Sequence, residues 1–211
     1  MKLTKYEQSG FILETDGGYK LAIDIGAYTP IEKIRGMSVD SVLVSHIHGD
    51  HFSVEQIKTL SPKKLYLNRE CIELLGEEEL PSEIIETKVG DTTDIGGIKV
   101  QFFDVDHGPN VKVRPRENFG FLIEADGKKI YFAGDMFTPS GIDVTNLEVD
   151  IACIPVGTFY TFGPKEALDF IKGFKKIGTV IPMHYQKEPT TRGEFATLAN
   201  AEGFNIDSQN I

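Results

Sequence analysis

The chain has 211 residues, 40% hydrophobic and 26% charged, a balance that suits one ordinary globular domain or two fused half-domains sharing a core. Its formal net charge of −10 disfavours general nucleic-acid binding, because an acidic surface repels phosphate backbones. The longest apolar stretches, 41–45 and 150–157, are far too short to span a bilayer, and the opening MKLTKYE has no apolar signal segment, so a cytoplasmic location is the default expectation.

In chain order, 10–15 (GFILET) and 19–25 (YKLAIDI) read as strands joined across Asp16-Gly17-Gly18, a hairpin signal. Residues 41–45 (SVLVS) read as a short buried strand, and 52–60 as a helix with Ser53 as candidate N-cap and Pro62 as its stop. A strand at 64–67 and a helix at 69–75 follow. Strands at 92–95 and 98–105 flank Gly96-Gly97, and strands at 119–124 and 129–133 flank Asp126-Gly127. Residues 150–156 form a further buried strand. Residues 164–175 are the clearest helix: Pro164 suits the first helical position, and Ala167, Leu168, Ile171 and Phe174 share one face. A strand at 179–182 and a helix at 192–201, closed by Gly203, complete the chain. Hairpin strands mixed with helices in both halves predict an α/β (α+β) fold with helices packed outside sheets. Cys71 and Cys153 lie far apart in apolar segments without a C-x-x-C partner, which predicts two reduced core thiols.

The chemistry concentrates in five histidines. Three fall in His46-Ile47-His48-Gly49-Asp50-His51, directly after the strand at 41–45. In a turn leaving a strand, His46 and His48 can face one ion while Asp50 and His51 serve a second. Imidazole nitrogen and carboxylate oxygen suit zinc, iron or manganese. Gly49 is expected to let the loop bend tightly. His107 follows the strand at 98–105, Asp135 follows 129–133, and His184 follows 179–182. All four segments therefore sit just past a strand, where a rigid sheet presents side chains to ligand.

The ordered pattern H-x-H-x-D-H, a distant His, Gly134-Asp135 and a last His resembles the metallo-β-lactamase superfamily over nearly the whole chain. The segment Leu21-Ala22-Ile23-Asp24-Ile25-Gly26 looks like its first motif. Residues 1–15, Phe132-Ala133-Gly134-Asp135, 150–163 and Pro182-Met183-His184-Tyr185 look like the small single-domain metal-dependent hydrolases related to ascorbate-6-phosphate lactonase. The resemblance implies a four-layer αβ/βα sandwich formed by one domain over 1–211. It implies that His46, His48 and His107 hold a first metal, that Asp50, His51 and His184 hold a second, and that Asp135 bridges them. Asp24 would hydrogen-bond the ligand loop from behind. Two divalent ions are expected, zinc first, with manganese or iron as alternatives.

The expected activity is hydrolysis of an ester, lactone or phosphodiester in a small, anionic molecule, because two dications sharing a water yield hydroxide at neutral pH. Asp50 would orient that hydroxide or take its proton. Lys112, Arg114 and Arg116 after His107, and Lys187 and Arg192 after His184, are candidates to hold an anionic substrate, with Arg114 preferred. Tyr185 and Tyr160 are candidate pocket residues. The alternatives are a nuclease, a di-iron redox enzyme, or a non-catalytic binding protein of the same fold. Nucleases of the superfamily add a domain or arm that 211 residues do not accommodate, and the redox enzymes usually carry Glu where His48 stands. Homo-oligomer formation is an expectation by analogy alone.

Overall fold

Alternating apolar residues in the first half have both faces covered. In the computed structural model, which describes residues 1–207, β1 (Lys2–Lys5), β2 (Phe11–Glu14), β3 (Lys20–Ile23), β4 (Ser41–Leu43), β5 (Lys64–Leu67) and β6 (Glu83–Glu86) lie side by side in chain order. β1, β2 and β3 pair antiparallel, and β3 through β6 pair parallel. Parallel neighbours need crossovers, and these carry α1 (Ile31–Ile34), α2 (Val54–Leu60) and α3 (Arg69–Leu75). Ile12, Ala22, Val42, Leu65 and Leu67 face these helices and pack on Ile34, Ile57, Leu60 and Cys71. The alternate residues Phe11, Leu13, Leu21, Ile23 and Leu43 face inward.

The second sheet repeats the plan. β7 (Thr92–Ile95), β8 (Ile98–Asp104), β9 (Phe119–Ala125) and β10 (Lys128–Phe132) pair antiparallel, then β11 (Glu148–Pro155) and β12 (Lys176–Met183) continue parallel. α4 (Pro164–Lys172) joins β11 to β12, and α5 (Pro189–Ala201) follows. Between the sheets, Phe11 meets Phe132 edge-on at 5.9 Å, and Phe132 stacks on Phe121 at 5.5 Å. On the outer face, Tyr131 stacks on Phe103 at 5.3 Å and meets Phe174 at 5.1 Å, beneath α4. Each fully buried ring contributes about 1.5–3 kcal/mol, so this aromatic slab is a main tie between layers. The order helix, sheet, sheet, helix is the four-layer sandwich expected from the sequence.

Several boundaries move for local reasons. α2 starts at Val54 with Ser53 at its N-cap position, but the Ser53 hydroxyl bonds the Gln56 side chain instead of capping the helix. α4 stops at Lys172 because Gly173 takes the C-cap, although Phe174 still packs inward. α5 starts earlier than expected because Pro189 takes its first turn. The turn Asp126-Gly127 has positive φ at both residues, as a tight hairpin requires. Cys71 and Cys153 are both free and buried. Among the described residues, no helix is long and apolar enough to cross a membrane.

Candidate metal centre

Four loops leaving strand ends converge. The loop after β4 brings His46, His48, Asp50 and His51. The loops after β8, β10 and β12 bring His107, Asp135 and His184. The side chains fall into two groups able to hold an ion, His46–His48–His107–Asp135 and Asp50–His51–His184, with ligand atoms in each group within 4.8 Å of one another. Asp135 stands between the groups. Its Oδ2 is 3.0 Å from His184 Nε2, 3.5 Å from His107 Nε2 and 3.8 Å from His46 Nε2. Its Oδ1 is 3.2 Å from His51 Nε2. Asp50 Oδ2 lies 3.5 Å from His184 Nε2 and 3.9 Å from His51 Nε2.

These atoms fit divalent cations by their hydrogen bonding as well as their chemistry. His51 Nε2, both ring nitrogens of His107 and Asp135 Oδ1 are buried without a hydrogen-bond partner among the described residues. Buried polar atoms are normally satisfied, and orphans gathered at one point mark a missing partner. Nitrogen and carboxylate oxygen donors suit zinc, manganese or iron.

The surrounding residues aim the ligands. Asp24 accepts hydrogen bonds from Ser45 N at 2.8 Å and Ser45 Oγ at 2.6 Å, and meets His51 Nδ1 at 2.8 Å. That contact turns His51 Nε2 toward Asp135. His48 Nε2 donates to the Val113 carbonyl at 2.8 Å, which leaves its Nδ1 beside His46 Nε2 at 3.0 Å. Gln8, which the sequence reading passed over, donates from Nε2 to Asp50 Oδ2 at 2.9 Å, and its carbonyl accepts His184 N at 3.0 Å. Gln8, Asp24 and His184 all have left-handed backbones, with φ of 54°, 50° and 56°. Such residues cost about 1–3 kcal/mol each and collect where function holds them. Gly49 has no positive φ, and a Cβ there would meet nothing, so the expected steric role falls elsewhere. It belongs to Gly26, where a Cβ would lie 2.0 Å from the Asp50 carbonyl carbon.

Asp24→Asn tests the support from behind. Asparagine tolerates the left-handed backbone, so the change removes charge rather than shape. The expected result is a 10–100-fold weaker metal affinity by competition with a chromophoric chelator, a typical loss for residues that orient ligands. Unchanged affinity would show that Asp24 shapes only the turn.

Charge compensation in the centre is internal. Burial disfavours the charged form of His51, yet Asp135, Asp24 and Asp50 raise its pKa well above the ordinary imidazole value. His184 is raised to about 9 against the same burial, chiefly by Asp135. Burial and the neighbouring His51 push His46 well below its ordinary value. Burial opposes ionisation of Asp50 and Asp135 too, but His51 and His184 hold both carboxyls far below the usual range. A bound dication competes with these protons, because a ligating imidazole is neutral.

A cavity of about 300 Å³ opens over the ligands, walled by Gln8, Gly49, Lys112, Val113, Tyr160 and Lys187 beside them. Arg114 and Tyr185, the substrate-binding candidates, are not among the residues that wall this cavity. Arg114 Nη2 pairs with Asp106 Oδ1 at 2.8 Å, and Asp106 also accepts the Thr138 hydroxyl at 2.6 Å, so Arg114 braces the loop after β8. Arg116 is likewise bound to Glu70 and Glu73. Tyr185 is buried, its ring between Lys5 Nζ at 5.0 Å and the Arg192 guanidinium at 5.5 Å. The basic side chains that reach the cavity are Lys112 and Lys187.

The family described as Beta-lactamase superfamily domain matches residues 2–184. A protein named UPF0173 metal-dependent hydrolase from Pelotomaculum thermopropionicum is 30% identical, covering 95% of this chain and 91% of its own length. A namesake from Myxococcus xanthus is 28% identical over 91% of this chain and 73% of its own. The solved structure of a metallo hydrolase from Ignicoccus hospitalis has a TM-score of 0.78 at 24% identity, covering 97% of this chain and 93% of that one, a likeness of fold. A match over most of the sequence, joined by a relative aligned along nearly its whole length, places the chain in the beta-lactamase superfamily domain family, among the UPF0173 metal-dependent hydrolases.

Proposed function

We propose that the protein is a dinuclear metal-dependent hydrolase acting on an ester, lactone or phosphodiester bond of a small molecule, with zinc as the first choice of metal. The position of Asp135 carries this reading: one buried carboxylate offers Oδ2 to His46, His107 and His184 and Oδ1 to His51. His46, His48 and His107 would hold one ion, Asp50, His51 and His184 the other, and Asp135 both. Such ions, when bound, acidify water and stabilise the negative charge that grows on the attacked group.

The chain's own residues do the rest. Gln8 fixes one oxygen of Asp50, so the carboxylate meets the cavity in one orientation and can align a nucleophilic water or accept its proton. Asp24 and the Val113 carbonyl fix which ring nitrogens of His51 and His48 face inward. Val111 and Val113 add apolar side chains to the cavity wall.

The test combines elemental analysis with turnover. Wild type is expected to carry about two ions per chain and His48→Ala fewer. Hydrolysis of at least one member of a panel of a phosphodiester, a lactone and a thioester is expected to vanish on chelation and return with zinc or manganese. A chain that takes up no metal on reconstitution and turns over nothing would overturn the proposal and favour a binding role.

A further inference from the structure

The cavity wall carries a cation that the ligand network leaves unused. Lys187 lies three residues beyond His184 and lines the cavity with Asp50. Its ammonium sits 5.5 Å from the Tyr28 ring centroid and 5.2 Å from that of Tyr160. Neighbouring cations are committed elsewhere: Lys5 Nζ donates to the Tyr6 and Gln8 carbonyls, Arg114 pairs with Asp106, and Arg116 with Glu70 and Glu73. Lys187 is held instead by two neutral tyrosines, over both ring faces and by a hydrogen bond to Tyr28.

That difference has a chemical consequence. A ring face attracts an ammonium through its quadrupole and does not neutralise it, so the charge stays available to an anion. Two flanking rings also restrict the long side chain, which lowers the ordering cost of capturing a ligand. Lys112 adds a second positive charge to the same wall from the loop between β8 and β9. In a protein with a net charge of −10, cations at the mouth of the ligand cavity attract negatively charged small molecules selectively.

We propose that Lys187, steadied between Tyr28 and Tyr160, is the subsite for an anionic oxygen group, a carboxylate or a phosphate, that the substrate carries apart from its scissile bond. The proposal rests on the hydrolase reading for the word substrate, but binding tests it without turnover.

The experiment is calorimetric titration of zinc-loaded protein with glutarate and, separately, with inorganic phosphate. Lys187→Met keeps the side chain's length and removes its charge. At least one probe is expected to bind about tenfold more weakly to this variant, about 1.4 kcal/mol, with zinc content unchanged. Lys187→Arg is expected to bind within about threefold of wild type, because a guanidinium also stacks on tyrosine. Weakening confined to glutarate assigns a carboxylate, confined to phosphate a phosphate, and weakening of both a general oxyanion site. Equal affinities in wild type and Lys187→Met for both probes would overturn the proposal, as would loss of zinc from the variant. Failure of the hydrolase reading has a separate signature, namely no turnover of any panel member by protein that binds zinc and still holds a probe more tightly than Lys187→Met does.

Discussion

Asp135→Ala is expected to strip metal from both ligand groups at once and to lower hydrolysis by more than about 100-fold, beyond the 10–100-fold usual for residues that only orient ligands. The reason is the number of partners. Four histidine Nε2 atoms lie within 3.0–3.8 Å of its two oxygens, so no other side chain touches both groups so widely. Its loss also leaves His51 and His184 in a buried site with only Asp24 and Asp50 to balance them, and under-compensated buried charge is destabilising. Asp135→Asn separates the causes, since it keeps the volume and one oxygen while removing the negative charge. Elemental analysis of both variants, with circular dichroism to confirm folding, is the measurement. A folded Asp135→Ala protein that retains two ions would show that the carboxylate is not shared.

Gly26→Ala is the second large effect, and its origin is steric. A Cβ at Gly26 would stand 2.0 Å from the Asp50 carbonyl carbon, 2.1 Å from the Asp50 oxygen and 2.4 Å from His51 N. These are backbone atoms of the ligand loop, so no side-chain rotation relieves the clash. The loop is also pinned there by the hydrogen bond from Ala27 N to the Gly49 carbonyl at 2.8 Å. One methyl must therefore push Asp50 and His51 away from His184. Overpacking costs about 1–3 kcal/mol even where side chains can yield, and here the backbone must move. A lower melting temperature and loss of metal are expected together. Gly49→Ala is the control, because a Cβ there meets nothing within 4 Å. It is expected to keep the fold and the metal content, and a Gly26→Ala protein that matched it in both would remove the steric argument.

Much of this molecule is legible in its sequence, and the gaps have physical causes. β5, α3 and β7 carry the expected bounds, since Pro62 precedes β5, Asn68 divides β5 from α3, and Gly76 and Gly96 follow α3 and β7. β1 and β6 escaped notice because edge strands such as KLTK and EIIE present polar residues and lack the apolar run of a buried strand. α1 is a single turn, too short for a period to show. At the centre, the histidines and Asp135 are readable because each follows a strand. Gln8 is not, since its importance comes from a left-handed backbone and a partner 42 residues away. Arg114 shows a partner that spacing does not reveal. Proximity to His107 in sequence suggests the cavity, and its guanidinium pairs with Asp106 at 2.8 Å.

The division of ligands between the two sheets has a thermodynamic consequence. His46, His48, Asp50 and His51 come from the half of the chain built on β1–β6, whereas His107, Asp135 and His184 come from the half built on β7–β12. Each ligand group draws on both halves, so neither half alone holds a full set. An ion at either position would therefore act as a cross-link between halves that also adhere through the aromatic slab and through contacts such as His184 N to the Gln8 carbonyl. Its binding free energy becomes cohesion between the sheets, growing as the logarithm of free metal over its dissociation constant. Metal supply would then set how tightly the sandwich closes, and separated halves should find each other more readily in zinc than in chelator.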